Sequence, residues 1–276
     1  MTIDVAFLAS LAAAARLAGS EILSWYARSD VHVQRKADHS PVTGADLAAN
    51  AALAAALPRL LPDVPIVSEE TSADEAAAVR ALATAPRAWL VDPLDGTSDF
   101  LARSGEFTVN VALLDAGRPV VGCVLAPVTG RCYLGAHGLG AFRQDQEGGP
   151  LVPTRTRPCD RAHPVCLVSR QHQAGEGVRL AARAPEVIVR PAGSALKYAL
   201  IADGQADLSL RTTPTSLWDT AAAQCVLEAA GGALVTFAGP PLAYRTGTLR
   251  NPPFLAYGDP TVDWRAFLAR FEAPQA

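Results

Sequence analysis

A hydrophobic run over Arg87–Val91 stops abruptly in Asp92-Pro93-Leu94-Asp95-Gly96-Thr97. Such a run, with Trp89 and Val91 in it, predicts a buried strand. Asp92 then stands at a strand's carboxyl end, where α/β proteins place ligands. Pro93 fixes the chain after Asp92 and removes a donor, and Gly96 permits a tight turn. Two carboxylates three residues apart on such a turn converge on a hard cation, with the Leu94 carbonyl as a further oxygen between them. Carboxylate, carbonyl and water oxygens are the ligands Mg²⁺ prefers. An Asp-Gly pair alone marks only a solvated turn; the whole hexapeptide behind a buried strand carries the metal reading.

Other acids stand in settings with two uses. Glu69 and Glu70 close a short strand over Val64–Val67. Because Ile66-Val67-Ser68 comes from the core, one carboxylate can face inward, and Glu69 is the favoured ligand. Asp219, in Trp218-Asp219-Thr220-Ala221-Ala222, opens an amphipathic helix. It acts either as a first-turn acid on the helix dipole or as the carboxylate that completes a second metal from the other half of the chain. In the second case the site lies between two subdomains, a common place for a pocket. Asp46 opens a helix, either as a cap or as the group that orients the Thr97 hydroxyl. A threonine polarised by an aspartate helps position and deprotonate a metal-bound water. Gly193-Ser194-Ala195-Leu196-Lys197 starts another helix. Its exposed N–H groups, hydroxyl and ammonium suit an anion, or make an ordinary helix start. His172, after Ser169-Arg170-Gln171 at a strand end, meets a base, a phosphate or solvent.

Around these motifs the chain alternates. Helices are expected over 4–27, Asp46–Leu60, Ala73–Thr84, Gly175–Arg183, Ser194–Ala202, Trp218–Ala230 and Trp264–Phe271. Strands are expected over Val31–Lys36, Val64–Val67, Arg87–Val91, Glu106–Leu114, Pro119–Leu125, Cys132–Leu134, Val165–Ser169, Val187–Arg190, Asp207–Leu210, Leu234–Phe237 and Phe254–Tyr257. The polar stretch Gln144–Pro158 reads as the seam between a subdomain over 1–150 and another over 151–276. This is layered α/β architecture.

Several classes fall away. A net charge of −3 offers no stripe for nucleic acid and no polybasic membrane patch. Asp4, Arg16 and Glu21 interrupt the apolar run near the N-terminus, so it reads as a core helix rather than a signal or a span. Five cysteines without a CxxC pair read as thiols in a reducing, cytoplasmic setting. The five histidines form no zinc spacing, and no P-loop or GxSxG elbow occurs.

Taken together, these motifs resemble the inositol monophosphatase-like superfamily of lithium-sensitive, Mg²⁺-dependent phosphatases. The match is closer to its 3'(2'),5'-bisphosphate nucleotidase branch, through Lys36-Ala37-Asp38 with Ser40-Pro41-Val42-Thr43, Gly105-Glu106-Phe107-Thr108-Val109-Asn110, the Gly193–Lys197 run, Gly204-Gln205-Ala206-Asp207, Pro214-Thr215-Ser216 and Asn251-Pro252. The resemblance implies an αβαβα five-layer sandwich. It implies metal ligands at Glu69, Asp92, the Leu94 carbonyl, Asp95 and Asp219, with two or three Mg²⁺ per site. It implies a water-activating dyad of Asp46 and Thr97, with Glu69 beside it. It also implies substrate contacts at Gly96, Thr97, Ser169, His172, Gly193, Ser194, Lys197 and Asp219. The implied reaction is removal of the 3'-phosphate from adenosine 3',5'-bisphosphate, or from 3'-phosphoadenylyl sulfate, in sulfate assimilation. An inositol or fructose 1,6-bisphosphate phosphatase with the same metals is the alternative. Relatives of this type often form dimers, so the resemblance leaves a homodimer open. The chain departs from the branch at Ser98-Asp99, Gln171 and Thr213, none of them a metal ligand.

Overall fold

The computed structural model describes residues 3–28, 33–35, 41–170, 180 and 184–269. Helix α1 (Val5–Tyr26) begins where the Asp4 carboxylate accepts the Phe7 N–H at 2.8 Å, the usual N-cap bond. Leu8, Leu11, Ala15, Ala18 and Ile22 form its buried stripe, at the spacing of one helix face. Helix α2 (Gly44–Leu60) starts with a reciprocal cap between Thr43 and Asp46, and packs Ala45, Ala49, Leu53 and Leu57 into the same core. A small ribbon pairs β1 (Val33–Arg35) antiparallel with β2 (Pro41–Thr43). Among described helices α1 alone is long and apolar enough to cross a membrane, yet half of that stretch is buried inside the protein.

The first sheet has seven strands in chain order: β3 (Ile66–Ser68), β4 (Arg87–Asp95), β5 (Thr108–Asp115), β6 (Arg118–Ala126), β7 (Arg131–Ala136), β8 (Gly140–Gln144) and β9 (Val152–Thr154). Only β3 and β4 run parallel, with helix α3 (Glu75–Thr84) in the crossover between them. A short helix α4 (Thr97–Leu101) follows β4. The second sheet runs β11 (Ile188–Ala192), β10 (Val165–Ser169), β12 (Leu208–Arg211), β14 (Phe254–Tyr257), β13 (Ala233–Thr236). Helices α5 (Leu196–Ala202), α6 (Ala221–Ala229) and α7 (Trp264–Ala269) complete the described chain.

Strand alternation builds the layers. Trp89, Val91, Val109, Val111 and Leu113 point to α1 and α2, while Leu90, Ala112 and Leu114 point to α5 and α6. Val165, Leu167, Phe254 and Ala256 of the second sheet close on α5 and α6 from the far side. Its outer face sets Cys166, Val168, Leu208 and Leu255 against Leu180, Ala184 and Trp264. The order is therefore helix, sheet, helix, sheet, helix. α6 lies close on the first sheet because β6 and β7 carry glycines beneath it. A Cβ at Gly122 would stand 2.2 Å from the Ala222 carbonyl oxygen, and one at Gly135 2.6 Å from the Val226 Cα.

Three expectations need correction. The strand through Val91 continues to Asp95 with a register shift. The first sheet gains β8 and β9 and runs past residue 150 to Thr154. The helix expected from Trp218 is a tight turn over Leu217–Asp219 followed by α6, because the Asp219 carboxylate reaches back to cap the turn at Ser216 N. All but Leu180 of the expected helix over Gly175–Arg183, and the cluster at Lys36 and Asp38, lie outside the described residues.

Candidate active site

Asp92 and Asp95 face the same way only because β4 is irregular. In a regular strand, residues three apart point to opposite faces. Here Asp92 stands opposite Asn110 and Asp95 opposite Thr108, three steps on β4 against two on β5. The extra residue falls at Pro93-Leu94, where proline supplies no N–H to the ladder, and it reverses the alternation. Both aspartates thus share the face that carries Ala112 and Leu114, toward the α5 and α6 layer. Leu94 turns the other way, into the core with α1 and α2.

Asp219 arrives at that face from the second half of the chain, held by Ser216 N at 2.8 Å. One oxygen each of Asp92, Asp95 and Asp219 lie within 4.8 Å of one another. Glu69, at the end of β3, hydrogen-bonds Asp92, so it joins the cluster from one side. Burial, then the charges of Glu69, Asp95 and Asp219, push the Asp92 carboxyl well above the ordinary range. Burial, then Asp95 and Glu69, do the same to Asp219. Asp95 is raised by burial too, opposed by Lys197 and by the Ala195 N–H at 2.5 Å. Carboxylates packed this way are mutually destabilising as anions, and a divalent cation relieves that repulsion. The donor set is oxygen-only, as a hard cation requires.

Asp46 and Thr97 meet beside this cluster. The Thr97 hydroxyl donates to Asp46 Oδ1 at 3.1 Å and lies 3.3 Å from the Leu94 carbonyl. Asp46 Oδ2 accepts the Thr43 N–H and hydroxyl, both at 2.7 Å. Asp46 thus caps α2 with one carboxylate oxygen and accepts the Thr97 hydroxyl with the other. Gly96, at φ 89°, turns the chain from β4 into α4 and so aims Thr97.

A cleft of ≈ 330 Å³ opens over the acids. Glu69, Leu94, Gly96, Thr97, Ser169, Ser194 and Lys197 line it with the three aspartates. The structure brings these sequence-derived residues together and omits Glu70 and Gly193 from the lining. The 193–197 segment differs from its reading as an open anion cradle. α5 begins only at Leu196, and the Gly193 and Ala195 N–H groups already donate to Glu106 and Asp95. Lys197 is buried and donates to the Ser194 carbonyl at 2.7 Å, and burial draws its ammonium down to about 8 against the pull of Asp95. His172 lies outside the described residues. Sequence reasoning missed Arg211, Arg250 and Tyr198 in the lining. The weak signals were an arginine at a strand end and another just before Asn251-Pro252.

Residues 4–259 match the model of the inositol monophosphatase family, and the chain belongs to that family. It is 40% identical over 242 residues to the 3'(2'),5'-bisphosphate nucleotidase CysQ of Escherichia coli K12, covering 87% of this chain and 95% of that one. The CysQ of Haemophilus influenzae is 32% identical over 252 residues, covering 90% and 91%. Among solved structures, CysQ from Bacteroides thetaiotaomicron superposes with a TM-score of 0.75 at 32% identity, over 90% of this chain and 96% of that one. The suppressor protein suhB of Bartonella henselae reaches the same TM-score at 24% identity and shows the shared fold.

Proposed function

We propose that this chain is a Mg²⁺-dependent phosphomonoesterase that removes the 3'-phosphate of adenosine 3',5'-bisphosphate, giving AMP and phosphate, and that acts likewise on 3'-phosphoadenylyl sulfate. The convergence of Asp92, Asp95 and Asp219 on one point carries the reading. The similarity to curated bisphosphate nucleotidases supports the substrate. Free thiols at all five cysteines are consistent with work in the cytoplasm.

The oxygen-only acid cluster suits Mg²⁺, and on the family pattern it would hold two or three ions. Glu69, Asp92 and the Leu94 carbonyl would hold one, and Asp92, Asp95 and Asp219 another. Bound there, such ions lower the pKa of water and neutralise charge on attacking and leaving oxygens. The protein's own parts do the rest. Thr97 donates its own O–H to Asp46, which fixes the direction in which its hydroxyl oxygen can accept a hydrogen bond. This leaves the Thr97 lone pairs to orient an incoming water. Lys197 and Arg211 bring positive charge to the cleft wall facing the acids, where a phosphoryl group gains charge-assisted hydrogen bonds. Ser169 and Ser194 offer hydroxyls to the same anion. The first half of the chain supplies four of the five ligating groups and the second half supplies Asp219. If the chain divides into subdomains near the expected boundary at residue 150, with the first sheet carried on to Thr154, the reaction lies at their junction.

The test is phosphate release with Mg²⁺ from adenosine 3',5'-bisphosphate, inositol 1-phosphate and fructose 1,6-bisphosphate side by side. Preference for the nucleotide is expected. Preference for either sugar-type ester keeps the metal site and overturns the substrate.

A further inference from the structure

The Gly105–Asn110 motif contributes Asn110 and Thr108 beside Asp95, but its Glu106 takes no part in the chemistry described above. Glu106 is not among the residues that line the cleft. It instead grips two segments that are. Its Oε2 accepts the Gly193 N–H at 2.8 Å and Arg170 Nε at 3.0 Å, and its Oε1 accepts Arg170 Nη2 at 2.7 Å. Arg170 follows directly on Ser169, and Gly193 directly precedes Ser194; both serines line the cleft. One carboxylate from the first half of the chain therefore ties down two cleft walls from the second half.

The contact is built rather than incidental. The Glu106 N–H donates to Ser104 Oγ at 3.2 Å, and that hydroxyl reaches Asp99 Oδ1 at 3.1 Å. Gly193 approaches so closely that a Cβ there would stand 2.3 Å from the Glu106 carbonyl oxygen and 2.8 Å from its Cβ. Ser194 next to it adopts φ 46°, a left-handed conformation that a serine keeps only under restraint. A half-exposed ion pair by itself is worth little. A bidentate fork sharing its carboxylate with a backbone N–H is a different case, since its geometry fixes two chain segments at once.

We infer that Glu106 is a positioning residue: it sets the Ser169 and Ser194 walls to grip the body of the substrate, and leaves the metal acids to act alone. The inference rests on the cleft being the substrate site. It is tested with Glu106→Gln, Arg170→Ala and the double variant. Each single change is expected to raise KM for adenosine 3',5'-bisphosphate about tenfold, the loss of one charge-assisted bond. The kcat is expected to stay within about twofold and the Mg²⁺ concentration for half-maximal rate to stay unchanged. The double variant should be no worse than the worse single one. A fall in kcat at unchanged KM, or fully additive losses, overturns the proposal. Amide hydrogen exchange gives a readout independent of turnover. In Glu106→Ala the segment around Gly193 and Ala195 should exchange faster at unchanged melting temperature, and unaltered exchange also overturns it. If the wild type hydrolyses only inositol 1-phosphate, the nucleotide reading falls, and the KM split measured on that ester still decides the role of Glu106. If it hydrolyses none of the esters, the exchange result decides.

Discussion

At the scale of the residue, Asp92 is at once the chemical centre of the site and a burden on the fold. It is buried among three other carboxylates. Asp92→Asn should lower kcat by about a hundredfold or more, the usual cost of removing one electrostatic anchor, as phosphate release would show. The same change should raise the melting temperature of chelator-treated protein at neutral pH. The sign follows from linkage: a carboxyl with a raised folded pKa keeps its full stability at low pH and loses it as pH rises through the raised value. Metal-free wild type should therefore melt at progressively lower temperature as pH climbs above the ordinary carboxylate range of about 4, and Asn at position 92 should flatten that slope. Thr97→Val should cut kcat by roughly 10²-fold or more with little change in KM, whereas Thr97→Ser retains most of the rate. The acids and Thr97 were legible because the chemistry admits few other residue types. Arg211 and Arg250 were not, since their place in the cleft depends on strand ends and loops brought from far apart. The Gly193 and Ala195 N–H groups were misread for a related reason: a helix start in a sequence does not reveal which donors are already bonded.

At the scale of the element, the Ala-rich helices were legible from their periodicity and caps, α1 and α2 most clearly. The edge strand β9 was not, because its exposed, proline-bearing residues carry no alternation. Nor was the extension of β4, because Pro93 reads as a stop when it is the site of a bulge. Helix α6 lies on β6 and β7 where Gly122 and Gly135 leave no room for a Cβ. Gly122→Ala should cost about 1–3 kcal/mol, as overpacking does, and lower the melting temperature by several degrees. Calorimetry checks this. Activity per folded molecule should change little if α6 shifts as a body, and should fall if Asp219, three residues ahead of Ala222, moves with it.

At the scale of the molecule, alternation pointed only to a layered α/β architecture; the five layers came from the family resemblance, and the pairing order of the strands from neither. The second sheet runs β11-β10-β12-β14-β13, a crossing that no local pattern encodes. The layering sets its three cores on the faces of the two sheets and leaves the acids between residues from both halves of the chain. Mg²⁺ bound by groups from both halves should stabilise the whole, by about 2.7 kcal/mol at a hundredfold excess over Kd, and a thermal shift titration reads it. The irregularity at Pro93-Leu94 has one more consequence, for how such a site can vary. Its catalytic orientation is stored as an odd-versus-even count along a strand. Running β4 regularly through Pro93-Leu94 with the three-step spacing kept would set Asp95 one place further along β5 than Thr108 and swing its carboxylate toward Trp89 and Val91, into the apolar side. The odd step between those acids and the irregular turn that absorbs it are therefore one phase setting, and neither can be kept without the other.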